Sequence, residues 1–200
     1  MLMKLAIHAW EEDESVQNVT LSREELENRD LSGLEFENVV FDHCRLEGCD
    51  FSGSRFYRVK FQGCVLSGSI FRNCHWQDCT MEACRCDGGF FDGSTFRRME
   101  IRDCSLLYAN FPETVFDQVK IQDSNLSRAA FRGVGFKGLN LKNTDLSGAE
   151  FCRTSLKGVD LSECLIEGLV VSQSMQELRG AKINPGQAVD LIRLLGVELL

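Results

Sequence analysis

Cysteine and histidine are the residues with the most conspicuous potential for chemistry in this chain, because both bind metals and cysteines can pair as disulfides. The sequence holds ten cysteines and three histidines among 200 residues. Cys84 and Cys86 are spaced as a ligand pair could be, and His43 and His75 each stand beside a cysteine. Such a cysteine count suggests a disulfide framework in a small secreted chain, and metal binding or packing in a reducing compartment. The choice depends on which of these side chains point to the same side of the backbone.

The remaining residues form no pattern typical of an enzyme. A phosphate-binding glycine motif and a nucleophile paired with a base are both missing from the sequence. The formal net charge of −8 also disfavours direct nucleic-acid binding, which depends largely on excess Lys and Arg. We therefore predict a protein that is not an enzyme, uses no cofactor and no metal, and does not bind nucleic acid directly.

The N-terminal residues and the lengths of the apolar runs predict where in the cell the protein is located. The start MLMKLAIHAW is followed by four acidic residues, which does not match the plan of a signal peptide. No apolar run approaches the ~18 residues of a membrane span. These features predict a cytoplasmic protein without membrane contact.

A five-residue repeat organises most of the sequence. Every fifth residue from Leu21 to Val171 is apolar, which makes 31 consecutive positions, and 13 of the 14 phenylalanines fall on them. The residue two before each apolar centre is mostly small, and the residue two after it is often Gly. In an extended segment the centre and the residue two before it share one side, and Gly suits a turn. Repeats this short bury a core only when successive coils stack.

The number of sides in a coil follows from the centres taken at intervals of twenty residues. One such column is almost entirely Phe from Phe51 to Phe151, and the neighbouring column is mainly Leu from Leu26 to Leu146. Four sides of five residues therefore make one coil. Residues 21–172 would give about 7.5 coils at the strand spacing of ~4.8 Å.

This register also sorts the cysteines. Eight of the ten occupy the small inward position and include Cys44, Cys64, Cys84 and Cys104 in one column. Stacked residues keep their Cβ atoms ~4.8 Å apart, which is longer than the ~3.8 Å that a relaxed disulfide prefers. His75 would face outward while its neighbour Cys74 faces inward. We therefore expect packing cysteines rather than disulfides or a zinc site.

The sequence resembles the pentapeptide-repeat family, whose pattern is a small residue, a polar residue, then Leu or Phe, then two more. Residues 129–133, AAFRG, and 144–148, TDLSG, match this pattern closely. The resemblance implies an all-β fold, a right-handed quadrilateral β-helix, closed here by a short C-terminal capping α-helix. It also implies a binding protein. Family members include quinolone-resistance proteins that bind DNA gyrase or topoisomerase IV, in the loopless type as a mimic of duplex DNA.

The two ends are predicted to be caps. Residues 1–20 form the N-terminal cap, in which Leu5 and Ile7 would form a strand and Ser22 with Glu25 a capped turn. Residues 173–200 form the C-terminal cap, with a helix over about 185–195 that has Asn184 as N-cap and Pro185 at its first position. Apolar residues at this end predict a homodimer through the C-terminus. They are Leu194, Leu195, Leu199 and Leu200.

Two outer surfaces are candidates for a protein partner. The acidic charge gathers in residues 1–50, which hold 13 acids and four bases. Its outward acids suggest mimicry of DNA toward gyrase or topoisomerase IV. They are Glu35, Glu37, Asp42, Glu47 and Asp50. The alternative is a structural adaptor that docks another protein through its C-terminal helix or through the outward apolar residues Ile70, Phe90 and Leu107.

Overall fold

The chain folds into a stack of coils between an N-terminal and a C-terminal helix. The structure is a computed structural model that describes residues 1–194, 196 and 197. The helices are α1, Leu2–Glu12, and α2, Ala188–Leu194, with 3-10 turns at Gln176–Leu178 and Pro185–Gln187. The strands are β1 Val16–Gln17, β2 Thr20–Ser22, β3 Glu25–Glu27, β4 Glu35–Glu37, β5 Val40–Asp42, β6 Arg45–Glu47, β7 Arg55–Tyr57, β8 Lys60–Gln62, β9 His75–Gln77, β10 Thr80–Glu82, β11 Thr95–Arg97, β12 Glu100–Arg102, β13 Val115–Asp117, β14 Lys120–Gln122, β15 Gly135–Lys137 and β16 Asn140–Lys142.

The strands stack in parallel on four faces. Face 1 is the seven-stranded sheet β1-β4-β7-β9-β11-β13-β15, and face 2 is the seven-stranded sheet β2-β5-β8-β10-β12-β14-β16. Face 3 begins with the pair β3-β6 and continues as single parallel bridges to Leu165. Face 4 consists of single parallel bridges from Asp30 to Val170. Paired residues are twenty apart, as in Phe36 with Phe56, which confirms the predicted β-helix of four-sided coils.

The repeat centres form the core. Phe51, Phe71, Phe91, Phe111, Phe131 and Phe151 stack one above another, with successive ring centroids 4.8–5.2 Å apart and ring planes within 8°. Offset-parallel rings at this spacing add attraction beyond the apolar area that they bury. Strand spacing and ring spacing agree, so the same residue type can repeat in every coil.

The small inward residue joins successive coils by hydrogen bonds. The Ser54 hydroxyl donates to the carbonyl of Leu31 (3.2 Å) and accepts from the backbone N–H of Leu34 (3.1 Å). Ser69 and Ser94 make the same two bonds to their own lower coils. A hydroxyl or thiol here satisfies buried backbone groups, which explains the preference for Ser, Thr and Cys over larger residues.

The corners are left-handed throughout. Every fifth residue from Asn18 to Gly158 has a positive φ, whether or not it is glycine. Gly is favoured at this position because it has no Cβ, yet Arg, Asp and Tyr also adopt the conformation here. The closed coil therefore imposes the corner geometry, and Gly only lowers its cost.

The N-terminal prediction of a strand at Leu5 and Ile7 is wrong, because residues 2–12 form α1. Leu2, Ala6 and Ala9 are spaced by four and three residues, which puts them on one helical face, and all three are buried. The Glu24 carboxylate accepts from the N-terminal ammonium (2.7 Å) and from the backbone N–H of Leu2 (3.0 Å), so it holds the start of the helix.

The predicted capped turn at Ser22 and Glu25 is also wrong. Both residues lie in strands, and the Ser22 hydroxyl donates to the carboxylate of Asp42 on the next coil (3.0 Å). At the other end the predicted capping box is confirmed. The Asn184 side chain accepts from the backbone of Gln187, and the Gln187 side chain accepts from the backbone of Asn184.

Candidate protein-binding surfaces

The five candidate acids all lie on the outer surface of faces 1 to 4, but four of them sit beside a basic residue. Glu35 pairs with Arg55 (3.2 Å) and Glu37 with Arg58 (2.7 Å), in both cases across neighbouring coils. Exposed ion pairs of this kind contribute little to stability, although they lower the local net charge.

Each of the other three candidate acids has a partner one or two positions away in the sequence. Glu47 pairs with Arg45 at 3.1 Å. Asp42 contacts His43 at 2.7 Å, and hydrogen bonds from His43 and then Ser22 lower the pKa of its carboxyl. Asp50 accepts from the backbone N–H of Ser52 at 2.8 Å. These five acids are spread over the four faces of a single coil and do not form one continuous acidic surface.

Three further acids near the N-terminus form no ion pair in the described part of the chain. Glu25 and Glu27 are exposed on β3, and Asp30 is exposed on the same coil. Hydrogen bonds from the Ser32 hydroxyl and backbone N–H lower the pKa of Asp30. The acidic excess of residues 1–50 is therefore strongest in the first coil, at the N-terminal end of the stack.

The apolar candidates lie on the outside of adjacent coils. Ile70 and Phe90 are paired directly by a parallel bridge on face 4, while their inward neighbours Ser69 and Phe91 are buried. The guanidinium of Arg72 lies 5.2 Å from the centre of the Phe90 ring and covers part of it. Ile70, Phe90 and Leu107 are all partly exposed.

Tyr108 extends this region and was missed by the sequence reasoning. It occupies a corner with φ 58° and is 50% exposed. Arg128 donates to its hydroxyl (2.6 Å) and lies over its ring. The other corner positions between 18 and 158 carry Gly, Ala, or polar or charged residues, so a Tyr at a corner was the available signal. We call Ile70, Phe90, Leu107 and Tyr108 the apolar face.

The cysteines have the predicted packing role. All ten are unpaired, and nine are fully buried, with Cys152 the partly exposed exception. Burial raises the pKa of Cys74 to about 12 and that of Cys79 and Cys164 to about 11. Thiols of this kind stay protonated and unreactive at neutral pH. In the described residues no three His, Cys, Asp or Glu side chains are grouped as metal ligands.

The C-terminal end presents a second set of apolar side chains. Leu194 is partly buried against the core, whereas Leu165, Val170 and Val197 are exposed. Three of the predicted interface residues, Leu195, Leu199 and Leu200, lie outside the described residues.

Family models match most of the chain. A pentapeptide repeat region matches residues 54–131, and pentapeptide repeats in eight copies match residues 25–57 and 131–168. The chain belongs to the pentapeptide-repeat family. No curated protein sequence matches it. The membership agrees with the four-sided coils and with the positions of the repeat centres.

Several solved structures are similar to it. One is a trypsin-treated form of QnrB1, a plasmid-mediated fluoroquinolone resistance protein, at 23% identity and TM-score 0.45. That comparison covers 93% of this chain and 99% of QnrB1. Another is HetL from the cyanobacterium Nostoc sp. strain PCC 7120, involved in heterocyst differentiation regulation, at 16% identity and TM-score 0.30, covering 88% and 92% of the two chains.

A membrane span is not found among the helices of the described chain, since none combines sufficient length with sufficient apolar character.

Proposed function

We propose that the protein is a non-enzymatic adaptor that binds another protein through the apolar face. The observation that carries this proposal is the direct pairing of Ile70 with Phe90 at outer positions of adjacent coils. Outer positions are otherwise mainly polar, and aromatic side chains are enriched among residues that dominate binding energy.

The rigidity of the surface supports the same proposal. Ile70 and Phe90 each make two backbone hydrogen bonds to the coil below, including one from the Phe71 N–H to the Phe90 carbonyl at 2.6 Å. This surface would therefore lose little conformational freedom when a partner binds, and preorganised surfaces bind at lower entropic cost.

Modulation of DNA gyrase or topoisomerase IV is a second candidate, favoured by the charge of the first coils. Glu25, Glu27 and Asp30 are exposed without ion pairs in the described chain and add to the neighbouring acids. An acidic end could meet a basic DNA-binding groove. The ion pairs of Glu35 and Glu37 reduce the acidic field further along the stack.

Gyrase supercoiling, measured with two sets of variants, distinguishes the two functions. The acid set combines Glu35→Gln, Glu37→Gln, Asp42→Asn, Glu47→Gln and Asp50→Asn, and the apolar set combines Ile70→Ser with Phe90→Ala. Mimicry of DNA predicts inhibition or protection that the acid set weakens and that falls as salt rises above ~0.15 M. No effect of wild type on gyrase or topoisomerase IV rejects that function.

The adaptor function is tested by affinity capture from the source cells. A genuine partner should be retained by wild type and by the acid set, and lost with the apolar set. Thr95→Ala, at an outer position of face 1, is the matched control and should retain it. Equal retention by the apolar set rejects the apolar face as the docking surface.

We also propose a homodimer through the C-terminal end, supported by the exposure of Leu165, Val170 and Val197 there. Deleting residues 197–200 should lower the mass measured by light scattering toward that of the monomer. A full-length protein that is already monomeric contradicts the proposal. The unpaired thiols favour a reducing compartment, and we expect the cytoplasm.

A further inference from the structure

Backbone pairing between successive coils stops on two faces near the C-terminal end. β15 and β16 are the last strands of faces 1 and 2. On faces 3 and 4 the next coil remains attached, through the bridges Asp145 with Leu165 and Glu150 with Val170. The coil that contains residues 155–162 is thus joined to the coil below along one half of its perimeter only. We call the unpaired half the split.

Four of the backbone groups at the split have no hydrogen-bond partner, although the equivalent groups one coil lower do. One coil lower, the N–H groups of Gln118 and Asp123 donate to the carbonyls of Lys137 and Lys142, at 2.7 and 3.0 Å. The equivalent N–H groups of Gly138 and Asn143 make no hydrogen bond within the described chain. The same holds for the carbonyls that should receive the next coil, those of Val134 and Leu139. Exposed donors and acceptors of this kind are a template for a further strand.

On its opposite edge the last coil is hydrogen-bonded to the C-terminal cap. Leu156 N–H donates to the Glu177 carbonyl and Leu161 N–H to the Lys182 carbonyl, both at 2.8 Å. Asp160 is bridged to Lys182, which is 22 residues away rather than twenty. The two extra residues after Val171 therefore belong to the cap.

The core is less covered at the split. Phe136, Leu139 and Leu141 are partly exposed, whereas the equivalent residues one coil lower are buried. A small apolar cavity of about 10 Å³ lies among these side chains and Leu156. An added strand lies ~4.8 Å from each of its two neighbours, which must then be about 9.6 Å apart, so the last coil has to swing away on faces 1 and 2 while faces 3 and 4 act as the hinge.

The rim of the split is basic. Lys137, Lys142 and Lys157 are exposed, and none of them forms an ion pair with a described residue. Asp160 also lies on the rim, where its carboxylate accepts from the backbone N–H of Ser162 at 3.0 Å. A segment that enters the split meets three lysines on its outer side and apolar side chains on its inner side.

We propose that the split is a strand-addition site for an extended acidic segment of a partner protein, in which Asp or Glu alternates with apolar residues. Alternate side chains of a strand point to opposite sides, so on each of the two faces the apolar residues cover Phe136 or Leu141 while the carboxylates face the lysines. Phe136 and Leu141 are five residues apart, so the segment turns between the two faces as this chain does at the left-handed corner Gly138. The strand supplies the N–H and C=O groups that the Val134, Gly138, Leu139 and Asn143 backbone groups lack.

Amide hydrogen exchange of the full chain tests the unpaired edge. In the free protein the amides of Gly138 and Asn143 should exchange on the order of 100-fold faster than those of Gln118 and Asp123 one coil lower. Comparable protection at both levels shows that the split is closed in solution and overturns the proposal. Protection at Gly138 and Asn143 that grows with protein concentration assigns the edge to a second copy, and this also overturns it.

A designed peptide tests the occupant. The probe is a fluorescein-labelled nonapeptide, Val-Glu-Val-Glu-Gly-Val-Glu-Val-Glu, in which Gly allows the turn between the two faces, and the control peptide has Lys in place of Glu. Anisotropy should show binding of the acidic probe at least about tenfold tighter than of the control, and the probe should slow exchange at Gly138 and Asn143. Equal binding of the two peptides, or no binding of either, overturns the proposal.

Charge reversal locates the probe. Lys137→Glu combined with Lys142→Glu should lower the affinity for the acidic probe by about tenfold or more. Lys60→Glu is the control, because Lys60 is also exposed and unpaired with any described acid, but lies on face 2 far from the split. Equal losses in the two variants attribute binding to general charge and overturn the proposal.

Discussion

Phe111 and Phe136 occupy the same position of the repeat, yet one lies inside the regular stack and the other beside the split. The Phe111 ring is 4.8 Å from the Phe91 ring below and 5.1 Å from the Phe131 ring above, and it is nearly parallel to both. The Phe136 ring is tilted by 58° from that of Phe116 and is partly exposed. The comparison teaches that a repeat centre gains its full burial from the coil that follows it, not from its own sequence.

The largest expected difference is in the cost of truncating these two rings. Phe111→Ala leaves a cavity in a continuous column and should lower the free energy of unfolding by ~3–5 kcal/mol. Phe136→Ala removes a less covered ring and should cost less than about 3 kcal/mol. Denaturant melts of both variants measure this, with the outer-surface variant Phe90→Ala expected within ~1 kcal/mol of wild type. Equal costs at 111 and 136 would mean that the last coil packs as tightly as the interior.

The attachment of the last coil to its cap is the next target. Gln187 is buried, and its amide donates to the carbonyls of Leu161 (2.8 Å) and Cys164 (2.7 Å). Gln187→Ala leaves both carbonyls unsatisfied and should cost about 1–3 kcal/mol. Faster hydrogen exchange should appear in residues 153–194 and not in the interior coils. A uniform rise along the chain would contradict the separate behaviour of the last coil.

Alkaline pH should destabilise both regions through their buried thiols. The folded pKa is about 12 for Cys74 in the interior and about 11 for Cys164 in the last coil, above an ordinary thiol pKa. Between the ordinary and the folded pKa the unfolded state releases the proton and the folded state keeps it. Stability should therefore fall as pH rises above about 9, by up to ~1.4 kcal/mol per pH unit for each such thiol. Melts of Cys74→Ala and Cys164→Ala should each show a shallower fall than wild type, and an unchanged slope would refute the linkage.

The smallest expected effect is that of corner substitutions, which should cost the same in the interior coils and in the last coil. Gly88 and Gly158 occupy left-handed corners with open space around the position of a Cβ. Gly88→Ala and Gly158→Ala should each cost about 1 kcal/mol, because only the backbone conformation is strained. Ala83→Gly, at another left-handed corner, should give a gain of similar size. Thermal melts that show no cost at Gly158 would indicate that the last coil relaxes its corners.

Part of the candidate site could be predicted from the sequence alone. The outward positions of Ile70 and Phe90 followed from their place next to buried centres, and the capping box at Asn184 followed from residue types at fixed offsets. The ion pairs of Glu35 and Glu37 could not be predicted in this way, because they join residues that become neighbours only when coils stack. Tyr108 was missed because its position was assigned to a turn.

The five-residue period by itself determined the four-sided coil, the buried centres and the packing role of the cysteines, because each depends only on which residues share a side of an extended backbone. The tertiary structure alone decided how the coils end. Helix α1 covers the first coil, and the last coil is hydrogen-bonded to the cap but not to the coil below on two faces. These outcomes depend on contacts between segments that are far apart in the sequence, and a local pattern carries no information about such contacts.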